Sequence, residues 1–286
     1  MFQAFVGCLE PLPAFDKILV RLGMTKNIRP VVLLAVLATP ALAMAQSVFN
    51  GTWKMDVKTA KFDSKPQVLL VQNGTYECKS CNPPTRIKAD GMDHAVDGNP
   101  YVDAFNAKVL DSRTILVAAK KNGKTIGTAK DHVSADGKTM IVDFTTTNAA
   151  SGAVVNGQSV LTRVASGPLG SHVVSGSWQI VKDNVSENDL ITTYRVNGGE
   201  LTMTSPTGQS YKARLNGTEA AYHGDPGTTS VSVKKIDANT IEETDLRNGK
   251  VISITRMTVL PGGKTMKIAS DDKLRGEHDE IMAAKQ

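Results

Sequence analysis

The chain has 286 residues, 41% of them hydrophobic and 21% charged, with a net charge of +5 and three cysteines. That length holds one or two ordinary domains. The charge is small and its basic residues are scattered, so a nucleic-acid-binding surface is not indicated.

The N-terminus reads as a secretory leader. Lys26 and Arg29 precede the uncharged apolar run Val31–Thr39, and Ala41-Leu42-Ala43 and Ala43-Met44-Ala45 follow as small-x-small cleavage sites. The run is too short for a membrane anchor, and cleavage is expected after Ala45. Met1–Gly23 reads as extra sequence ahead of a leader that starts at Met24. Segment 1–45 is therefore set aside, and the protein is expected to be exported, periplasmic or extracellular, with no integral membrane segment. Beyond position 45 there are 29 Lys and Arg against 26 Asp and Glu, close to neutral.

The remainder is an internal duplication. Gly51-Thr52-Trp53-Lys54-Met55 opens one copy and Gly176-Ser177-Trp178-Gln179-Ile180 the other, and these hold the only two Trp residues. Thr85–Asp143 then aligns without a gap on Tyr211–Ala269, with 17 identical positions. The expected division is 46–165 and 176–286, joined by a linker at 166–175 rich in Gly, Pro and Ser.

Turn chemistry sets the class. Asn122-Gly123 and Asn248-Gly249 each join two β-compatible runs through two residues, the type I′ hairpin signal. Between turns the apolar period is nearer two than 3.6, and Thr, Val and Ile dominate. Each copy reads as about eight short strands in an all-β antiparallel meander. Such a meander closes into a barrel, with a two-sheet sandwich as the alternative. Local composition at Glu277–Gln286 suits a helix. By analogy with Gly157–Val164, however, His278–Lys285 is expected to be the closing strand of the second copy.

Chemical motifs are few. Cys78-Lys79-Ser80-Cys81 lacks the βαβ setting of a redox site, a following His for haem and further ligands for zinc. Cys78 and Cys81 are expected to form a structural disulfide. Gly-Lys-Thr at 123, 137 and 263 lacks the upstream Gly of a phosphate loop. The histidines (His94, His132, His172, His223, His278) have no ligand or triad spacing, and Asp93–Asn99 does not match a calcium loop. No acidic pair, no nucleophile elbow and no cofactor motif is found, so an enzyme is not expected. Scarce aromatics argue against an aromatic-lined pocket, and Trp53 and Trp178 read as core anchors.

Gly51-x-Trp53 and Gly176-x-Trp178, each opening a β-meander of this size, resemble the first strand of lipocalin-like (calycin-type) barrels. The repeated Gly224-Asp225-Pro226, Ile236–Thr240 and Asn248–Lys250 wording is similar to a secreted bacterial family of unassigned function. The resemblance implies a cation over each Trp ring: Arg163 in the first copy and Lys285 in the second. It also implies an interior holding a small apolar ligand. The competing expectation is a cell-envelope interaction module with filled barrels and no ligand.

Overall fold

The computed structural model describes residues 47–63, 65–148 and 151–286. The expected leader, the cleavage point after Ala45 and Cys8 lie outside the described residues. The first repeat supplies β1 (Gly51–Asp63), β2 (Gln67–Gln72), β3 (Thr75–Cys78), β4 (Thr85–Lys88), β5 (Asp90–Ala95), β6 (Ala104–Asp111), β7 (Thr114–Lys121), β8 (Lys124–Val133), β9 (Thr139–Thr147) and β10 (Val154–Ser166). The second supplies β11 (Gly176–Val185), β12 (Ile191–Asn197), β13 (Glu200–Thr204), β14 (Ser210–Arg214), β15 (Asn216–His223), β16 (Ser230–Lys235), β17 (Thr240–Arg247), β18 (Lys250–Val259), β19 (Thr265–Asp272) and β20 (Glu277–Lys285). A short 3-10 turn at Glu187–Leu190 precedes β12. Each repeat therefore has ten strands where the turn signals suggest about eight.

The hairpin chemistry acts as expected. Asn122 and Gly123 have φ of 51° and 73°, and Asn248 and Gly249 have 52° and 77°. Type I′, with both central residues at positive φ, is one of the two-residue turns that match the twist of the strands they join, and Asn-Gly suits it well. The C-terminal segment is a strand: β20 lies between β19 and β1 and completes its sheet. Burial of alternate residues, ending in Ile281 and Ala283, outweighs the helical preference of Glu, Ala, Met and Lys.

The strands do not sort by repeat. β2 to β11 form one ten-stranded antiparallel sheet in the order β4-β3-β2-β11-β10-β9-β8-β7-β6-β5, whereas β1 joins β12 to β20 in a closed barrel. Each repeat has lent its opening strand to the other sheet. Trp53 on β1 stands in register with Lys285 on β20, and Trp178 on β11 with Arg163 on β10. The segment 166–175 thus separates the repeats in sequence, while β10 and β11 on its two sides pair within one sheet. Residues 67–185 make the first barrel as one continuous piece, inserted between β1 and β12 of the second.

The first barrel is nearly closed, with β4 and β5 as its outer strands. The second has the matching seam paired, Ser210 with His223 and Tyr211 with Tyr222. The core of the first barrel includes Leu69, Ile115, Met140, Leu161 and Trp178. That of the second includes Trp53, Leu201, Ile241, Met257 and Met266. A third cluster joins them. Phe144, Val155 and Val185 of the first barrel pack with Leu190 and with Ile281 of the second, and Met55 lies alongside. In the first barrel these residues sit toward the strand ends remote from Trp178.

Candidate binding site in the second barrel

One end of each barrel is sealed in the same way. Trp53 and Trp178 are 1% and 0% exposed, and each indole N–H donates at 2.8 Å to the carbonyl four residues earlier, of Phe49 and Val174. The Arg163 guanidinium lies 3.9 Å from the Trp178 ring centre and the Lys285 ammonium 4.9 Å from that of Trp53. Both implied cations therefore cover a Trp, with the partners exchanged along with the strands. Arg163 also donates to the carbonyls of Gly137, Val173 and Ser175, which fixes its plane over the ring.

The rest of the second barrel is not solid. It encloses a cavity of about 250 Å³, lined by Met55, Tyr194, Tyr222, Glu243, Asp245, Ser253 and Met257 among others. β17 explains the lining. Its alternate residues Ile241, Glu243, Asp245 and Arg247 share one face because side chains in a strand alternate. Ile241 is buried in the core, and the next three line the cavity.

Glu243, buried, and Asp245, half-buried, are thus neighbouring carboxyls on the cavity wall. Burial, and then the charge of Asp245, pushes the Glu243 pKa up to about 8. Burial pushes that of Asp245 up to about 6, against a lowering contribution from the Ser253 hydroxyl. Two such groups side by side hold a proton between them near neutrality. The Tyr211 hydroxyl donates to Glu243 Oε2, and Ser253 donates to Asp245 Oδ2 at 2.7 Å. Asp245 Oδ1 is buried. Tyr194 donates to the Met257 sulfur at 3.2 Å, and the rings of Tyr211 and Tyr222 are 5.7 Å apart. Burial first raises all three tyrosine pKa values well above the ordinary range, with the charge of Glu243 next for Tyr194 and Tyr211 and that of Asp245 next for Tyr222.

The duplication shows where the space comes from. At the same offset, Val117 and Ala119 of β7 occupy the places of Glu243 and Asp245. Phe144 stands in register with Gly157 in the first barrel, where Ser270 stands with Asp279 in the second. The Phe144 ring fills the room beside Gly157: a Cβ there would lie 2.1 Å from the ring. Replacing that ring by the Ser270 hydroxymethyl removes most of the filling. The first interior is not wholly apolar, since Asp131 and Asp183 are buried in it and burial raises both pKa values, Asp131 to about 7.

The first barrel also covers the mouth of the cavity. Asn82, Asn99 and Tyr101, from its loops, complete the lining beside Asp225, Arg247 and Arg275. The Tyr101 hydroxyl lies where a side chain on Gly227 would start, 1.5 Å from an ideal Cβ. Tyr101 and Gly227 are themselves matched positions of the two repeats, so equivalent loops meet across the barrel junction. Arg247 stacks over the Tyr101 ring at 5.8 Å and donates to the Gly227 carbonyl at 2.5 Å.

Cys78 and Cys81 are bonded, with a Cα separation of 5.4 Å, on the first barrel's β3–β4 connection. Met203 occupies the place of Cys78 in the second repeat, so the scaffold has a version without the bond. His94 pairs with Asp90 at 2.8 Å. Among the described residues no group of three or more His, Cys, Asp or Glu is arranged to hold a metal ion. The sequence reading missed the carboxyl pair and its tyrosines. Aromatics are scarce in the chain as a whole, yet four of its five tyrosines gather at this one cavity. The readable signal was the change from Val117 and Ala119 to Glu243 and Asp245 within a gapless alignment. No family model, curated protein or solved structure matches the chain.

Proposed function

We propose that the protein is an exported binding protein whose second barrel holds a small molecule, and whose first barrel is a filled copy that covers the mouth. The carrying observation is the contrast between two copies of one scaffold. At matched inward positions the first has Val117, Ala119 and Phe144, whereas the second has Glu243, Asp245 and Ser270 around a cavity. Buried polar groups cost stability unless they are satisfied, so an interior of this kind points to a use. The lipocalin-like analogy supports the reading at the level of the fold, through the Gly-x-Trp strand and its covering cation. Export is supported by the disulfide, which persists in oxidising compartments. Among the described residues no helix is long and apolar enough to cross a membrane.

The filled-module expectation suits the first barrel, whose matched positions are apolar. For the second barrel, native mass spectrometry of freshly purified protein tests occupancy. The expected result is an adduct of one small molecule that is lost on denaturation. It should be absent in a variant carrying Ser270→Phe and Asp279→Gly, which restores the packing of the first copy. An adduct that persists in that variant, or no adduct and no uptake of small probes, would overturn the proposal.

A further inference from the structure

We infer that the Cys78–Cys81 bond is a reducible latch on the mouth of the second barrel: a dithiol of the thioredoxin class opens it, and the guest then exchanges faster. The inference rests on the reading that this barrel holds a small molecule, and it adds a control on access. The bond lies in the β3–β4 connection. Asn82, the residue after Cys81, lines the mouth together with Asn99 and Tyr101 of the β5–β6 connection. The two connections touch, since the Pro83 ring lies 3.7 Å from where a side chain on Gly98 would start. A change in the small ring that Cys78 and Cys81 close therefore passes directly to groups that cover the cavity.

The bond suits a local task better than a global one. It joins residues three apart, and the stabilisation that a disulfide gives by restricting the unfolded chain is smallest for short loops. The second repeat ties the matching β13–β14 connection by other means. There the Ser205 N–H donates to the Gln209 carbonyl at 3.0 Å, and the Ser205 hydroxyl accepts from the N–H groups of Gly208 and Gln209. The first repeat has Pro83 and Pro84 in that stretch, which have no N–H to offer. The sulfur bridge stands where the second repeat has a hydrogen-bonded turn. Cys78 and Cys81 are buried, but Lys79, Ser80 and Asn82 around them are exposed. The bond thus sits just beneath the surface, where an exchanging thiolate reaches it.

Opening is a two-electron exchange. One thiolate of the dithiol attacks a sulfur of the bond, which forms a mixed disulfide and releases the other cysteine as a thiolate. The second thiol of the reductant then displaces the first cysteine. The reductant ends as a disulfide, and Cys78 and Cys81 end as thiols that carry the two protons it gave up.

Comparison of the purified protein before and after treatment with dithiothreitol tests this, with 2-naphthol as a small fluorescent probe. Thiol labelling should find both cysteines reduced while the protein is still folded. Hydrogen exchange should then rise at least tenfold in peptides covering 78–85 and 96–103, and stay unchanged in those covering Thr139–Thr147 and Thr265–Asp272. Release of 2-naphthol, followed by stopped flow, should be at least tenfold faster. A double variant, Cys78→Ala with Cys81→Ala, should behave like the reduced protein without any reductant. A bond that resists dithiothreitol until the protein unfolds, equal acceleration in Thr139–Thr147, or a release rate indifferent to reduction would overturn the latch and leave the binding proposal standing. No uptake of 2-naphthol by either form, joined to an unoccupied protein in native mass spectrometry, would sink both.

Discussion

Removing Trp178 should unfold a barrel that its own repeat does not build. The side chain is fully buried in the core containing Leu69, Met140 and Leu161. Its loss also breaks the 2.8 Å bond to the Val174 carbonyl and leaves Arg163 without the ring it covers. Aromatic-to-alanine substitutions in a core cost about 3–5 kcal/mol, which multiplies opening of the affected unit by roughly two to three and a half powers of ten. Hydrogen exchange read by mass spectrometry locates the damage. In Trp178→Ala, peptides covering Thr114–Lys121 and Thr139–Thr147 should exchange faster. Those covering Thr240–Arg247 and Thr265–Asp272 should change little. Trp53→Ala should give the mirror result, because its indole is sealed in the other core. If Trp178→Ala accelerated the second pair of peptides instead, the strand exchange would be refuted. Equal acceleration of both pairs would show one shared core in place of two.

At the mouth, Gly227→Ala places a methyl on the Tyr101 hydroxyl. A fall in stability of about 1–3 kcal/mol is expected, and that cost should disappear when Gly227→Ala is introduced into a Tyr101→Ala background instead of the parent. A single variant as stable as the parent would show that the loops do not meet as described. Asp131 gives a pH signature: burial raises its folded pKa to about 7 from 3.8. The unfolded chain therefore releases this proton first, and stability from this group is present below pH 3.8 and lost as pH rises through 7. Asp131→Asn should match the parent near pH 3.5 and exceed it at pH 8, with a ceiling of roughly 4 kcal/mol. Chemical denaturation at the two pH values checks this, and an equal gap at both would exclude the assignment.

The parts of the fold that were legible are those fixed locally. Asn122-Gly123 and Asn248-Gly249 require a backbone that few other pairs adopt, so they located hairpins without tertiary information. The closing strand at His278–Lys285 was legible through the repeat, against its own composition. The exchange of β1 and β11 was not, because both begin with Gly-x-Trp and either satisfies the same socket. Pattern identifies the kind of strand a site needs, and not which copy supplies it. The carboxyl pair was hidden for a related reason. Glu243 and Asp245 look like ordinary solvent-facing acids until the face of β17 is fixed by its partners β16 and β18.

The route of the chain also imposes a timetable. Residues 67–185 can form their barrel as soon as they are available, since all its strands are contiguous. β1 is made before them, yet its partner β20 ends at Lys285, the penultimate residue. At synthesis rates of roughly 5–20 residues per second, the opening strand waits on the order of ten to forty seconds for that partner. During the wait the edge that β20 will cover is unpaired and the Trp lacks its Lys285 cover, and such edges recruit strands from other molecules. A chain cut short before Glu277 never ends the wait. Two complete chains that meet during it hold interchangeable opening strands, and the fold that results from trading them is a dimer joined at β1.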